Sequence, residues 1–285
     1  MPSQDMEELL AAFIARTSSV IPKDALAALE RARNAEEPGS GARIVLDTII
    51  ENTALAAANG TPMCQDTGTL TFFASEDLRA EIPPKTFVAA VRLATAHGAL
   101  RHNTIDSITG RSHDDNTCPG APVVHYVPAP PGTVRLLMKG GGSENMSRQF
   151  SLPDSSIGAG RDMAGVERAI LEAVHQAQGY GCAPGILGVC IGGDRATGFD
   201  TAKEQLLRDL SDENPIPSLA ALERSCLEKA NSLGIGPMGL GGKTTLLAVK
   251  IAALPRVPAS FFVTVAYLCW AARRGTLDVN TGEMS

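Results

Sequence analysis

Residues 61–70 read TPMCQDTGTL and put a thiol, an amide and a carboxylate at consecutive positions, Cys64, Gln65 and Asp66, with a glycine close behind to let the backbone turn. Such a loop can hold a soft metal through sulfur and present polar groups to a ligand beside it. The chain has six cysteines, Cys64, Cys118, Cys182, Cys190, Cys226 and Cys269. They are scattered and form no C-x-x-C pair, so no zinc-ribbon or dithiol redox spacing is present. Cys64, Cys182 and Cys269 each fall at the edge of an expected element, where thiolates from distant parts of a chain can converge. Three thiolates without a fourth ligand suit an iron–sulfur cluster with one open iron, whereas structural zinc requires four ligands. The plainer reading of any one cysteine is a small buried hydrophobe. Cys190, inside an expected strand, and Cys226, inside an expected helix, read that way; Cys118 is open to either reading.

Two glycine loops could also do chemistry. KGGGSENMS (139–147) follows an expected strand and could aim backbone N–H groups at an anion or simply make a tight turn. GIGPMGLGGKTT (234–245) invites a nucleotide reading, but the first glycine that a phosphate-binding P-loop requires falls on Pro237, and the loop follows a helix rather than a strand.

These residues need elements to position them. Leu9, Leu10, Phe13 and Ile14 share one face of an N-terminal helix, a second helix is expected from Asp24 as N-cap, and a third through ARIVLDTIIENTALAAA, ending at Asn59-Gly60. TLTFFAS reads as a strand and residues 84–99 as a helix with proline at its start and glycine at its end. Residues 101–122 are polar and turn-rich, a long surface loop of the kind that often carries function. VVHYVPAPPGTVRLLMKGGG reads as two strands joined by a Pro-Gly turn. Helices follow in GRDMAGVERAILEAVHQAQG, AKEQLLRDL and SLAALERSCLEKANSLG, and buried strands in GILGVCIGG, TLLAVKIAAL and SFFVTVAYL. The expected class is mixed α/β: a helical N-terminal layer over residues 1–60 and, over 61–285, a β-sheet core flanked by helices, together one domain.

Composition narrows the partners. The 285-residue chain carries a net charge of −6 and no long basic run, which argues against nucleic acid or an anionic membrane. No stretch is long and apolar enough to read as a membrane span, and the acidic N-terminus is unlike a signal peptide, so a cytoplasmic location with reduced thiols is expected.

Taken in order, PMCQDTGT, LRHNTIDSITGRS, MKGGGSENMS, GCAPGILGVCIGG, GIGPMGLGGKTT and PASFFVTVAYLCWAARR resemble the α-subunit, or N-terminal domain, of the class I iron–sulfur fumarase and tartrate dehydratase family. The resemblance covers most of residues 40–275. It implies an iron–sulfur hydro-lyase α-domain with a [4Fe–4S] cluster held by Cys64, Cys182 and Cys269, the fourth iron binding substrate. It places Gln65 and Arg101 on substrate carboxylate, Asp66 near the proton-transfer site and Gly141 in backbone contact with substrate. It implies a β-subunit partner in an α2β2 assembly and a reaction that adds or removes water on a small dicarboxylate: fumarate/malate by default, with tartrate, mesaconate or another diacid as alternatives. The sequence departs from the family pattern where Val257 replaces a substrate-contacting histidine, where His102 replaces the proline of an Arg-Pro-Asn run, and at Cys118. Val257 is the best support for a competing reading, a non-catalytic iron–sulfur subunit; Gln65, Asp66 and Arg101 argue against it.

Overall fold

The computed structural model describes residues 3–285. Its helices are α1 (Ser3–Ser19), α2 (Lys23–Ala35), α3 (Gly41–Asn59), α4 (Pro84–Ala96), α5 (Gly141–Asn145), α6 (Met163–Ala177), α7 (Arg195–Gln205) and α8 (Pro217–Ser232). Its strands are β1 (Thr69–Ser75), β2 (Thr104–Ile105), β3 (Ser112–His113), β4 (Val123–Val127), β5 (Thr133–Lys139), β6 (Arg148–Ser151), β7 (Gly185–Ile191), β8 (Leu246–Ala253), β9 (Phe262–Leu268) and β10 (Arg274–Asp278). The class is mixed α/β, with helices beside mixed sheets. Two compact units interleave along the chain: Met1–Pro22, Glu51–Gly141 and Arg273–Ser285 form the first, Lys23–Ile50 and Gly142–Ala272 the second.

The first unit is built on a sheet of order β10-β5-β1-β4, with β1 parallel to β4 and antiparallel to β5. β1 is a central strand, and its sequence TLTFFAS is buried from Leu70 onward. Phe72 stands against Phe87 of α4 at 4.8 Å between ring centroids. Leu10, Phe13 and Ile14, on the apolar face of α1, are fully buried in the same core as Phe72, Phe87 and Leu136. The strands on either side of the Pro-Gly turn both form, but they do not pair with each other: β1 lies between β4 and β5. The turn therefore does not close a hairpin, because the earlier strand takes the place between its arms.

The second unit is built on a sheet of order β6-β9-β7-β8, with β7 parallel to β8 and antiparallel to β9. β7 is buried at every residue, which explains its unbroken apolar sequence. Leu187, Val189 and Ile191 enter the core with α6 and α8. Gly188 turns to α7, where a Cβ would stand 2.0 Å from the Ala202 carbonyl oxygen. The sheet is thus covered on both faces, and glycine lets a helix backbone come close on one of them.

Three local expectations are revised. α7 runs from Arg195 to Gln205, starting before and ending short of the expected AKEQLLRDL helix. A capping box sets its start: Asp194 accepts from the Ala196 and Thr197 N–H groups, and Thr197 Oγ1 accepts from the Asp194 N–H. Asp24 lies in the first turn of α2 rather than at its cap, and accepts a hydrogen bond from the Leu210 N–H at 2.8 Å. The long loop of 101–122 contains the small β2–β3 ladder. Among the described residues no helix is long and apolar enough to cross a membrane.

Candidate functional site

α3 ends at Asn59, and Gly60 leaves it at φ +62°, so the chain turns into the Thr61–Gly68 loop. The loop is tied down at both ends. The Met63 N–H donates to the Ser18 carbonyl at 3.0 Å, and Asn52 Nδ2 donates to the Met63 carbonyl at 3.0 Å. At the far end Gly68 has φ +74°, and a Cβ there would stand 2.4 Å from the Lys139 carbonyl oxygen. Only glycine allows this approach, which presses the loop onto the end of β5.

Asp66 is the fixed point between those ends. Its Oδ1 accepts from Asn103 Nδ2 at 2.6 Å and its Oδ2 from the Gly141 N–H at 2.7 Å. Its own N–H donates to Cys64 Sγ at 3.5 Å, and the Cys64 thiol donates to Gln65 Oε1 at 3.7 Å. Thr67 Oγ1 donates to the Arg101 carbonyl at 2.7 Å, so Arg101 shares the same framework while its side chain is exposed. Five residues expected from sequence, Cys64, Gln65, Asp66, Arg101 and Gly141, are therefore brought together in the first unit.

Asn103 and Asn116 do the positioning. Asn116 is 2% exposed with φ +58°; its Oδ1 accepts from the Asn103 N–H at 2.8 Å and its Nδ2 donates to the Arg101 carbonyl at 2.9 Å. Sequence reading passed over both. Their visible signal is the repeated Asn-Thr pair in RHNT and DDNT inside an otherwise exposed polar loop.

Arg273 was also missed. It is 1% exposed, and its three guanidinium nitrogens have no hydrogen-bond partner among the described residues. A Cβ on Gly140 would stand 2.8 Å from Asp66 Oδ2 and 3.7 Å from Arg273 Nη2, so a carboxylate and a permanent cation flank the same glycine. A carboxylate gripped by two neutral donors keeps lone pairs for a further partner. Exposed Gln65 and Arg101 add an amide and a guanidinium suited to a carboxylate ligand.

The second unit holds the other two cysteines. Cys182 sits in the turn after α6, exposed and at φ +57°, a left-handed conformation that costs a non-glycine residue about 1 kcal/mol. Cys269, just beyond β9, is 9% exposed. The Trp270 N–H donates to the Cys182 carbonyl at 3.2 Å, which joins the two segments. Tyr267 is buried beside them, and its Oη has no hydrogen-bond partner among the described residues. Burial, and then the charges of Cys269 and Cys182, push its ionisation well above the usual phenol range.

Cys190 and Cys226 are ordinary core residues, as expected. Burial pushes the Cys190 thiol up to about 11 and the Cys226 thiol up to about 12. No disulfide joins any of the six cysteines. Among the described residues no three Cys, His, Asp or Glu side chains are gathered around a single metal ion. A cubane cluster asks for a different arrangement, one sulfur on each of three separate irons. The residues of the second unit fit such a group in kind: two soft thiol donors, one on a strained turn, and a buried hydroxyl unsatisfied by protein.

The GLGGKTT loop has its own internal anion. Glu36 Oε1 accepts from the Lys243 and Thr244 N–H groups at 2.7 and 3.1 Å, and Lys243 Nζ bonds to Glu37 and to the Ala35 carbonyl. Donors that would cradle a phosphate are spent on the chain's own carboxylate. Val257 is 64% exposed on the 255–260 loop, which Arg161 and Arg256 clamp through carbonyls at Val257, Pro258, Ala259 and Ser260.

The family profile described as fumarate hydratase (Fumerase) matches residues 7–278. A Geobacillus stearothermophilus protein carrying a provisional class I fumarate hydratase name is 46% identical over 296 aligned residues, covering 99% of this chain. The chain spans only 56% of that relative's length. The L(+)-tartrate dehydratase subunit alpha of Escherichia coli strain UTI89 is 31% identical over 281 residues, which cover 96% of this chain and 91% of the relative. The protein of the same name in Shigella sonnei is also 31% identical over the same lengths.

Proposed function

This chain belongs to the fumarate hydratase family, and from that premise we propose that it is the α component of a hydro-lyase acting reversibly on a small dicarboxylic acid. We assign it a [4Fe–4S] cluster held by Cys64, Cys182 and Cys269, a β-subunit partner in an α2β2 assembly, and a cytoplasmic location. The observation that carries the reading is the Cys64–Gln65–Asp66 loop, whose carboxylate is gripped at both oxygens. The name of the Escherichia coli relative, a subunit alpha, supports the partner.

Elimination of water from a 2-hydroxy acid sets three demands: a Lewis acid on the leaving hydroxyl, a proton acceptor at the neighbouring carbon, and a fixed substrate orientation. The cluster, when bound, supplies an open iron as the Lewis acid. Arg101 and Gln65 take a substrate carboxylate, the guanidinium by a bidentate bond, and this fixes the orientation. Asp66 stands by the proton-transfer position, where Asn103 and the Gly141 N–H keep it from rotating away. The Gly141 backbone lies against the substrate. Fumarate/malate is the default pair; tartrate and mesaconate are the alternatives, because the Val257 side chain offers no hydrogen bond where the family pattern has histidine.

The test is turnover by the chain purified with its β-subunit in the absence of oxygen, assayed against fumarate, malate, tartrate and mesaconate. Hydration or dehydration of at least one is expected, with Cys64→Ser losing both cluster and turnover. A loaded complex that converts none of the four would favour the second reading, a non-catalytic iron–sulfur subunit.

A further inference from the structure

Tyr267 lies near the end of β9, two residues before Cys269. Alternation along an extended chain turns residues two apart to the same side. The phenol packs against the turn that carries Cys182: a Cβ on Gly181 would stand 2.4 Å from the ring, and a Cβ on Gly185 2.3 Å from Oη. Two glycines thus bracket Cys182 and make room for the ring. The side chain is 1% exposed, so the hydroxyl is out of reach of bulk solvent, and no protein atom among the described residues accepts from it.

A buried hydroxyl without an acceptor costs about 1–3 kcal/mol. Phenylalanine would fill the same space without that cost. Folded proteins leave few such groups, and a bound ion or group absent from the coordinates is a common reason for one. The hydroxyl, on the segment that carries Cys269, lies against Gly185 of the segment that carries Cys182, and the Trp270–Cys182 backbone bond joins the two segments.

We infer that Tyr267 donates its O–H to a sulfur of the cofactor held by Cys182 and Cys269, and so raises the reduction potential of the bound cluster. The inference rests on the cofactor assignment made above. Hydrogen bonds to cluster sulfurs are among the factors that set the potential, because a donor stabilises the added electron of the reduced form. Tyr267 touches neither substrate nor reacting atoms in this account; it tunes the cluster.

Tyr267→Phe tests this, since it keeps the ring that the two glycines accommodate and removes only Oη. The complex with the β-subunit is loaded anaerobically with ferrous iron and sulfide, and the cluster's midpoint potential is measured for wild type and variant. The expected result is a lower potential in the variant, by about the 59 mV that shifts a one-electron couple tenfold. The unloaded variant is expected to melt at the wild-type temperature or above it. An unchanged potential overturns the inference and leaves the hydro-lyase reading standing. A lower melting temperature of the unloaded variant also overturns it, by showing that the hydroxyl has a partner within the folded protein. A wild-type complex that takes up neither iron nor sulfide overturns both readings together.

Discussion

At the scale of the residue, the account turns on Asp66 and the two groups that grip it. Asp66→Asn removes the charge and keeps the shape, so the loaded complex should keep its cluster while the rate falls about 100-fold or more. An unchanged rate would remove Asp66 from the mechanism. Asn103→Ala deletes the donor to Oδ1. With Gly141 still holding Oδ2, the rate should fall by a smaller factor, about tenfold, measured beside Asp66→Asn on the same complex. The cysteines separate by accessibility. Limited alkylation of the unloaded chain near pH 8, read by mass spectrometry, should label exposed Cys182 and spare Cys190 and Cys226, whose thiols burial holds near 11 and 12. Rapid labelling of the latter two would contradict the packing described. The Cys64–Gln65–Asp66 run was legible in the sequence as a thiol, an amide and a carboxylate at consecutive positions, and Arg101 entered through the family resemblance. Asn103, Asn116, Tyr267 and Arg273 were not, because their roles come from burial and from missing or distant partners, and a linear string shows neither.

At the scale of the element, the site depends on how the Thr61–Gly68 loop is pressed onto the end of β5. Gly68→Ala meets two penalties, a left-handed φ and a Cβ 2.4 Å from the Lys139 carbonyl oxygen. The chain should lose about 2–4 kcal/mol of stability in chemical denaturation. A loss below about 0.5 kcal/mol would show that the loop sits elsewhere. Elements with strong periodicity read well from sequence: the apolar face of α1, the proline-initiated α4 and the all-apolar β7 all form as expected. Short or polar elements did not. β6 and β10 are brief edge strands whose sequences, RQFS and RGTLD, carry no alternation strong enough to mark them. α7 begins at a capping box rather than at its apolar run, so a reading by hydrophobicity started it too late. The order of β4, β1 and β5 follows from which strand fills the middle of the sheet, and that choice is a property of the folded core.

At the scale of the whole molecule, the second unit carries a charge network that ties the α7–α8 connection to β8. Lys250, 3% exposed, donates to the Asp212 carboxylate and, at 2.8 Å, to the Asp212 carbonyl. Arg208 bridges Asp212 and Glu223, and Glu223 also accepts from the Ile251 N–H at 2.7 Å. Burial pushes the Asp212 carboxyl up, but the bonds from Arg208 and Lys250 outweigh it and hold the group below the usual carboxylate range. The unfolded chain therefore takes up this proton first. The stabilisation is fully present above about pH 4 and is lost as pH falls through the lower folded value. Melting temperature should drop across that acid window, and Asp212→Asn should flatten the drop while lowering stability at pH 7 by about 1 kcal/mol, since solvent screens this partly exposed carboxylate. An unchanged acid profile would remove Asp212 from the network. The mixed α/β class was legible from the alternation of helix and strand patterns and the family from the order of six motifs, whereas the interleaved division into two compact units was not, because it is set by which segments pack together. The central claim, a hydro-lyase α component built around three cysteines, is tested most directly by iron and acid-labile sulfide per chain, on protein co-purified with its β-subunit without oxygen. The account predicts roughly four of each, the content of one cubane cluster. A folded complex with neither would contradict it.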